Sequence, residues 1–221
     1  MRTRVKICCM GSVAELRLAV QAGADAVGLV GEMPSGPGPI SDALAAEIAA
    51  AAPPGVTPFV LSSRADGDAL AAHARAVGVG VVQIVRHVDR AEHARLRRSA
   101  PGLKIVQVVH VEDEGSVDLA RGYAETADAL LLDSGRPGAA VEELGGTGRA
   151  HDWGLSRRIV EAVDVPVWLA GGLNPGNVAD AIAQVRPFGV DLCSGLRPEG
   201  VLDAGLLSGF MNAVRASSPE A

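Results

Sequence analysis

The sequence lacks several features that mark large classes of protein. Its 20 Lys and Arg residues form no basic run of the kind that tracks a nucleic-acid backbone, and the formal net charge is -6. Nucleic acid is therefore not an expected partner. No apolar stretch reaches the length of a membrane span, and no signal-peptide apolar region follows the initial Met. These absences predict a soluble, cytoplasmic protein without a membrane partner.

Cysteine is scarce too, with Cys8, Cys9 and Cys193 as the three examples. An odd number, with two of them adjacent in sequence, does not form a disulfide framework, so we expect reduced thiols. No Cys-x-x-Cys pair or Cys/His ligand spacing occurs, and no metal site is predicted.

Aromatic residues are few, and the chain is rich in Ala, Val, Gly and Leu. Small branched side chains suit a parallel sheet covered by helices. Apolar runs of strand length alternate with amphipathic runs of helix length, which predicts strands at 4–9, 25–30, 57–62, 79–85, 103–109, 128–133, 166–170 and 189–193. Eight such units indicate a single (β/α)8 TIM barrel over residues 1–221, with a frayed tail from about 217. The alternative, a doubly wound open sheet, more often carries a Gly-rich dinucleotide fingerprint that this chain lacks.

Helix starts are marked by residues that cap helices. Ser12 and Glu15 form a capping-box pattern, Asp152 precedes the helix carrying Trp153, and Asn174 precedes Pro175 at the expected first helical position. Two histidines, His73 and His93, fall in outer helices and are expected at the surface.

The first strand places a polar pair on one face. Side chains alternate along a strand, so Lys6 and Cys8 share a face and are expected to look into the barrel interior. Cys8 ends that strand, at the carboxyl edge where barrel enzymes keep their chemistry. Asp191 lies within strand 8 and needs a partner when buried. Lys6 is the candidate, because strands 1 and 8 adjoin in a closed barrel; the pair is either structural or part of the site.

Two glycine-rich turns predict a phosphate site. Gly171 and Gly172 follow strand 7, and Ser194 and Gly195 follow strand 8. Barrels often bind phosphate through backbone N–H groups in these two loops. The alternative is that these glycines only permit tight turns.

Asp133 follows four apolar residues at the end of strand 6. Partial burial there raises a carboxyl pKa and suits general-acid catalysis, whereas the alternative role is a cap for the next turn. The glycine-rich segment 145–149 is either a lid over the site or a plain flexible loop.

With these motifs in place, the chain resembles the phosphoribosylanthranilate isomerases, barrel enzymes of tryptophan biosynthesis, from Val5 to about Val214. The resemblance rests on these segments: 5–8, 130–133, 145–148 with Asp152 and Trp153, 171–178, 185–191 and 194–195. It implies an Amadori rearrangement of a small phosphorylated amino sugar, without metal or organic cofactor. It makes Cys8 the general base that removes the C2 proton and Asp133 the general acid that protonates the ring oxygen. Lys6 and Asp191 become further candidates for substrate contact.

Three positions depart from the family pattern. Cys9 stands where Gly is usual, and would either crowd the strand end or pack outward. Gly38 stands where the family usually has an Arg that meets the anthranilate carboxylate, and Val85 stands where it has His. Either Arg86, Arg136 or Arg197 takes over that contact, or the amine half of the substrate differs.

The functional hypothesis is phosphoribosylanthranilate isomerase. One alternative is a paralogue that performs the same aldose–ketose chemistry on another phosphorylated amino sugar. Another is a non-catalytic barrel that binds a phosphometabolite. The resemblance leaves open whether the protein is a monomer or a homodimer.

Overall fold

The computed structural model describes residues 2–34, 36–135 and 151–217. These residues form a closed barrel of eight parallel strands in chain order. The strands are β1 (Arg4–Ile7), β2 (Ala26–Val30), β3 (Thr57–Ser62), β4 (Val81–Ile84), β5 (Lys104–His110), β6 (Ala129–Asp133), β7 (Val167–Leu169) and β8 (Gly189–Leu192). The predicted (β/α)8 barrel is confirmed, because β1 pairs with both β2 and β8 and the sheet has no open edge.

A helix follows each strand and covers the outside of the barrel. The helices are α1 (Val13–Ala22), α2 (Asp42–Ala50), α3 (Gly67–Val77), α4 (Arg90–Ser99), α5 (Gly115–Ala124), α6 (Trp153–Ala162), α7 (Val178–Val185) and α8 (Ala204–Ser217). None of the helices in the described ranges is both long enough and apolar enough to cross a membrane. The predicted frayed tail lies, from residue 218 onward, outside the described residues.

The alternation of side chains along each strand separates two apolar cores. Val5 and Ile7 of β1 join the larger core between the strands and the helices. Cys8 joins a smaller core inside the barrel, where Phe59 and Trp168 meet edge to face with ring centroids 6.0 Å apart. The prediction that the Cys8 face of β1 looks into the interior is therefore confirmed.

The junction of β1 and β8 closes the barrel and brings two charges together inside it. Lys6 and Asp191 are direct partners in the strand register, and the Lys6 ammonium donates to Asp191 Oδ2 over 2.8 Å. Both side chains are buried. The predicted pairing of these residues is confirmed. The Lys6 ammonium also lies 5.5 Å from the centre of the Phe59 ring, which adds a cation–π contact.

Two of the predicted helix starts are confirmed and one is wrong. Ser12 caps α1 by accepting from Glu15 N–H, and Asp152 caps α6 by accepting from Gly154 N–H. Helix α7 begins at Val178, three residues later than Pro175. The preceding turn is held instead by Asn177, whose Oδ1 accepts from Asn174 N–H and whose Nδ2 donates to Gly172 O.

The two outer-helix histidines are buried, so their predicted surface position is wrong. His73 bonds to Ser62 Oγ on β3, and His93 bonds to Gln107 on β5 and to Thr126. Each lies on the side of its helix that faces the sheet, where a polar strand residue supplies its partner. Burial lowers the pKa of both imidazoles, which favours their neutral form.

We predict that Gly189→Ala lowers stability by about 1–3 kcal/mol, because overpacking a tight interior costs that much. A Cβ at Gly189 would lie 2.5 and 2.6 Å from ring atoms of Trp168, its partner in the register. Urea unfolding measures the change. Gly80→Ala is the matched control, since a Cβ there meets nothing within 4 Å. Equal stability of both variants would contradict this account of the β7–β8 contact.

Candidate active site

Cys8 is the first residue beyond β1, and its side chain lies inside the barrel mouth. Its N–H donates to Leu192 O on the β8 side, which fixes the backbone at this point. Gly28 of β2 makes room for the sulfur, because a Cβ on Gly28 would lie only 2.6 Å from Cys8 Sγ. The thiol is consequently buried and closely packed.

Burial dominates the ionisation of this thiol. Desolvation raises the pKa of Cys8 to about 11, and the negative charge of Asp191 adds to the rise. The positive charges of Lys6 and Arg197 oppose it without overcoming it. Lys6 thus favours the thiolate, but burial outweighs it and the resting site holds Cys8 in its protonated form.

Asp133 is the last residue of β6 and lies beside His110 of β5 in the strand register. Its Oδ1 accepts from the N–H of Ser134 over 2.7 Å. Burial raises the pKa of the Asp133 carboxyl to about 6, with a further rise from Asp191, while Ser134 and Lys6 lower it. A carboxyl with this pKa retains its proton in a useful fraction of molecules near neutral pH, as a general acid requires.

The buried ion pair Lys6–Asp191 acts on the pKa of both Cys8 and Asp133. In each case the Asp191 carboxylate raises the pKa and the Lys6 ammonium lowers it. Asp191 Oδ2 is bonded to Lys6, whereas Oδ1 is buried and has no hydrogen-bond partner among the described residues. Among those residues that oxygen is an acceptor left without a donor. The thiol and the carboxyl therefore both lie within the electrostatic range of the same ion pair.

The two glycine-rich turns lie side by side. Gly171 and Gly172 adopt left-handed conformations with φ of 82° and 64°, which only glycine adopts without strain. Gly195, inside the short 3-10 turn Ser194–Leu196, packs against the carbonyl oxygen of Leu173, where a Cβ has no room. The loops after β7 and β8 therefore meet at one edge of the mouth, as the predicted phosphate site requires.

His151 and Ser134 flank the first of these glycines. Their Nδ1 and Oγ atoms lie 3.0 and 2.9 Å from the point that a Cβ on Gly171 would occupy. His151 Nε2 is bonded to Ser156 Oγ over 2.6 Å, and burial lowers the pKa of the imidazole to about 4. This side of the mouth therefore carries a neutral histidine.

Of the three arginines predicted to contact substrate, two lie within the described residues, at different places around the barrel. Arg86 lies just beyond β4, and its carbonyl accepts from Gln107 Nε2 over 2.7 Å. Arg197 lies behind Cys8, where its guanidinium is bonded to Glu15, a residue that sequence reasoning identified only as part of a capping box. Arg136 and the segment 145–149 lie outside the described residues.

Cys9 forms a disulfide bond with Cys193, across 184 positions of sequence and a Cα–Cα separation of 5.9 Å. The expectation of three reduced thiols is therefore wrong for this pair. It rested on sequence positions alone, whereas the β1–β8 closure brings the two strand ends together within the usual disulfide range. Cys9 also does not pack outward, since it belongs to the interior cluster.

Cys9 and Gly38 are packed against each other, which links two of the departures from the family pattern. Cys9 holds a left-handed φ of 63°, a conformation that favours glycine. Gly38 has φ of 84°, and a Cβ there would lie 2.7 Å from Cys9 Cβ and 3.2 Å from its sulfur. A side chain at 38 is excluded while Cys9 occupies this space.

Comparison with known proteins gives concordant matches over the whole barrel. The family model described as N-(5'phosphoribosyl)anthranilate (PRA) isomerase matches residues 5–213. An N-(5'-phosphoribosyl)anthranilate isomerase of Haloferax volcanii is 39% identical, covering 97% of this chain and 94% of the relative. That of Methanocella arvoryzae is 34% identical, covering 97% and 99%.

Solved structures agree with these sequence relatives. Phosphoribosyl anthranilate isomerase from Thermotoga maritima superposes with a TM-score of 0.83 at 29% identity, covering 97% of this chain and 99% of that one. A phosphoribosyl anthranilate isomerase in complex with reduced 1-(o-carboxyphenylamino)-1-deoxyribulose 5-phosphate superposes with a TM-score of 0.81 at 27% identity, covering 97% and 99%.

We predict that Gly38→Ala costs about 2–4 kcal/mol of stability, part from the left-handed backbone and part from the contact with Cys9. In a Cys9→Gly background the same change should cost only about 1 kcal/mol, the backbone part. A double-mutant cycle by urea unfolding isolates the coupling between the two positions. Additive costs would show that the two side chains do not compete for space.

We also predict that Cys8 resists alkylation by iodoacetamide at pH 8 and that its rate rises about tenfold per pH unit up to at least pH 10. The reason is the raised pKa of about 11, since only the thiolate reacts. Mass spectrometry of the modified peptide follows the rate, and Cys8→Ala provides the background. A rate that levels off below pH 9 would contradict the dominance of burial.

Proposed function

The chain belongs to the N-(5'-phosphoribosyl)anthranilate isomerase family, and on that premise we propose that Cys8 and Asp133 are its general base and general acid. The protein is an intramolecular aldose–ketose isomerase of tryptophan biosynthesis. The reaction converts N-(5-phosphoribosyl)anthranilate into 1-(2-carboxyphenylamino)-1-deoxyribulose 5-phosphate, with no atom gained or lost. An acid and a base placed in one pocket are sufficient for such a rearrangement.

Asp133 acts first in this proposal. Its carboxyl gives a proton to the ring oxygen while the C1–O bond breaks, and the nitrogen lone pair forms an iminium ion at C1. Cys8 then removes the proton from C2, and the electron pair of that C–H bond moves to neutralise the iminium. The resulting enolamine tautomerises to the ketone by gaining a proton at C1 and losing the one on its C2 hydroxyl.

The observation that carries the proposal is the pairing of a carboxyl of raised pKa with an interior thiol around one ion pair. At neutral pH the resting site favours a neutral Cys8 and an ionised Asp133, because their pKa values are about 11 and about 6. Cys8 must therefore lose its thiol proton before it can take the proton from C2, and the Asp133 carboxylate left by ring opening accepts that proton. The thiol gives it up only when a positive charge lies beside it. The iminium ion formed by ring opening is such a charge, and it favours the thiolate. This orders the two steps as acid before base.

The remaining contacts follow from the chemistry of the substrate. The substrate is phosphorylated, as is the analogue bound by the related isomerase in its solved complex. We assign its phosphate to the backbone N–H groups around Gly171, Gly172, Ser194 and Gly195, and a sugar hydroxyl to Asp191 Oδ1. Lys6 orients Asp191. Gly38 carries no side chain, so we assign the anthranilate carboxylate to a cation on another loop. Among the described residues the candidate is Arg86, just beyond β4.

At the level of the whole chain, residues 1–221 act in this proposal as one barrel domain in the cytoplasm, as a monomer or a homodimer. The acid and the base carry every proton transfer, so the proposed mechanism uses no metal and no organic cofactor.

We predict that Cys8→Ala and Asp133→Asn each lower kcat for N-(5-phosphoribosyl)anthranilate by a factor on the order of a hundred or more, the usual contribution of a positioned acid or base. Fluorescence of the substrate follows turnover. Asp118→Asn on exposed α5 is the matched control and should retain the native rate.

Rescue of a tryptophan auxotroph that lacks the isomerase is a second measurement. The native chain should restore growth, and the two variants should not. A near-native rate in either purified variant would remove that residue from its assigned role.

A further inference from the structure

Arg197 makes an unusual set of bonds behind the proposed base. The residue is buried, and it follows the 3-10 turn after β8. Its Nη1 and Nη2 atoms donate to the two carboxylate oxygens of Glu15 over 2.8 and 2.9 Å, a two-pronged pair. Its Nη2 also donates to the carbonyl oxygen of Cys8 over 3.3 Å. One guanidinium thus joins the first turn of α1 to the backbone of Cys8.

Glu15 extends this connection to two further segments. Its oxygens accept from the N–H of Gly11, over 2.9 Å, and from the N–H of Leu202, over 3.1 Å. Burial alone raises the pKa of Glu15, but the bonds from Arg197, Gly11 and Leu202 outweigh it and leave the pKa below its ordinary value. The carboxylate is therefore charged at neutral pH and holds Arg197 in place.

These bonds fix the backbone of Cys8 at both of its polar groups. The N–H donates to Leu192 O at 2.9 Å, and the C=O accepts from Arg197. Both partners come from the β8 side of the closure. Cys8 follows the last residue of β1 and precedes Cys9 with its left-handed φ, so strand pairing alone does not hold this peptide.

We propose that Arg197 and Glu15 are positioning residues that hold the Cys8 backbone, and with it the thiol, in the geometry needed for proton abstraction. This inference rests on the assignment of Cys8 as the general base. It replaces a direct substrate contact by Arg197, because the guanidinium is already engaged behind Cys8. The planar fork matters, since a lysine offers one compact charge and cannot span Glu15 and the Cys8 carbonyl with fixed angles.

The charge of Arg197 supports the same role. It lowers the pKa of Cys8 against the effect of burial, as Lys6 does from the other side. The ion pair therefore has both a geometric and an electrostatic effect on the thiol, and the two effects are separable by substitution.

Arg197→Lys tests the geometric effect. We expect kcat to fall ten- to a hundredfold, the scale for a misplacement of about 1 Å, with KM within twofold of native. Urea unfolding should show a cooperative folded protein. Arg215→Lys is the matched control, since Arg215 donates to Ala22 O on the outside of the barrel. A raised KM with native kcat would make Arg197 a substrate ligand and overturn the proposal.

Arg197→Met tests the electrostatic effect. Removing the cation and leaving Glu15 unpaired should raise the pKa of Cys8 and shift the pH profile of its alkylation to higher pH. A purely structural role of Arg197 would leave that profile unchanged. Native kcat together with a native alkylation profile would overturn the proposal. If Arg197→Met does not fold, Glu15→Gln replaces it, with a severalfold loss of kcat expected and native kcat as the contrary result.

The activities of the Cys8→Ala and Arg197→Lys variants separate this inference from the proposed mechanism. If Cys8→Ala retains activity, the assignment of the base fails, and the positioning role fails with it. If Cys8→Ala is inactive but Arg197→Lys behaves as native, only the positioning role fails.

Discussion

The buried ion pair between Lys6 and Asp191 is the interaction on which the site depends. Removing two charges from water costs several kcal/mol each, and only close pairing offsets that cost. Strand closure supplies the pairing, because Lys6 and Asp191 are neighbours in the β1–β8 register. The pair then brings both signs of charge into an otherwise apolar interior, where it acts on the pKa of Cys8 and of Asp133. Loss of either partner would leave one uncompensated charge beside both groups.

Two of the three departures from the family pattern, Cys9 and Gly38, form one packed unit. Cys9 takes the left-handed backbone where the family usually has Gly, bonds to Cys193, and fills the space into which a side chain at 38 would project. An arginine at 38 would therefore clash with Cys9 in this structure. In the proposed mechanism this arrangement leaves the anthranilate carboxylate to another loop, while Cys8, Asp133 and the loops after β7 and β8 keep their assigned roles.

Burial raises the pKa of both groups to which the proposal assigns proton transfer. The rise suits Asp133 to its proposed role as acid, whereas it makes Cys8, the proposed base, harder to ionise. In the proposed mechanism the thiol stays neutral until the substrate supplies positive charge, which limits side reactions of a free thiolate. Arg197 and Glu15 act on the same group from behind, through its backbone and through charge.

The sequence by itself determined the barrel, the interior face of β1 and the partnership of Lys6 with Asp191. These follow from the two-residue alternation of strands and from the closure of eight parallel strands, which are local or topological rules. Family resemblance added the proposed roles of Cys8 and Asp133, which local rules do not supply.

Only the tertiary structure decided the disulfide of Cys9 with Cys193, the burial of His73 and His93, the bonding of Arg197 to Glu15 and the high pKa of Cys8. Each depends on side chains meeting across elements, in two cases more than 180 residues apart. Periodicity specifies which face a residue occupies. It does not specify which atom lies opposite, and hydrogen bonds, disulfides and desolvation depend on that atom.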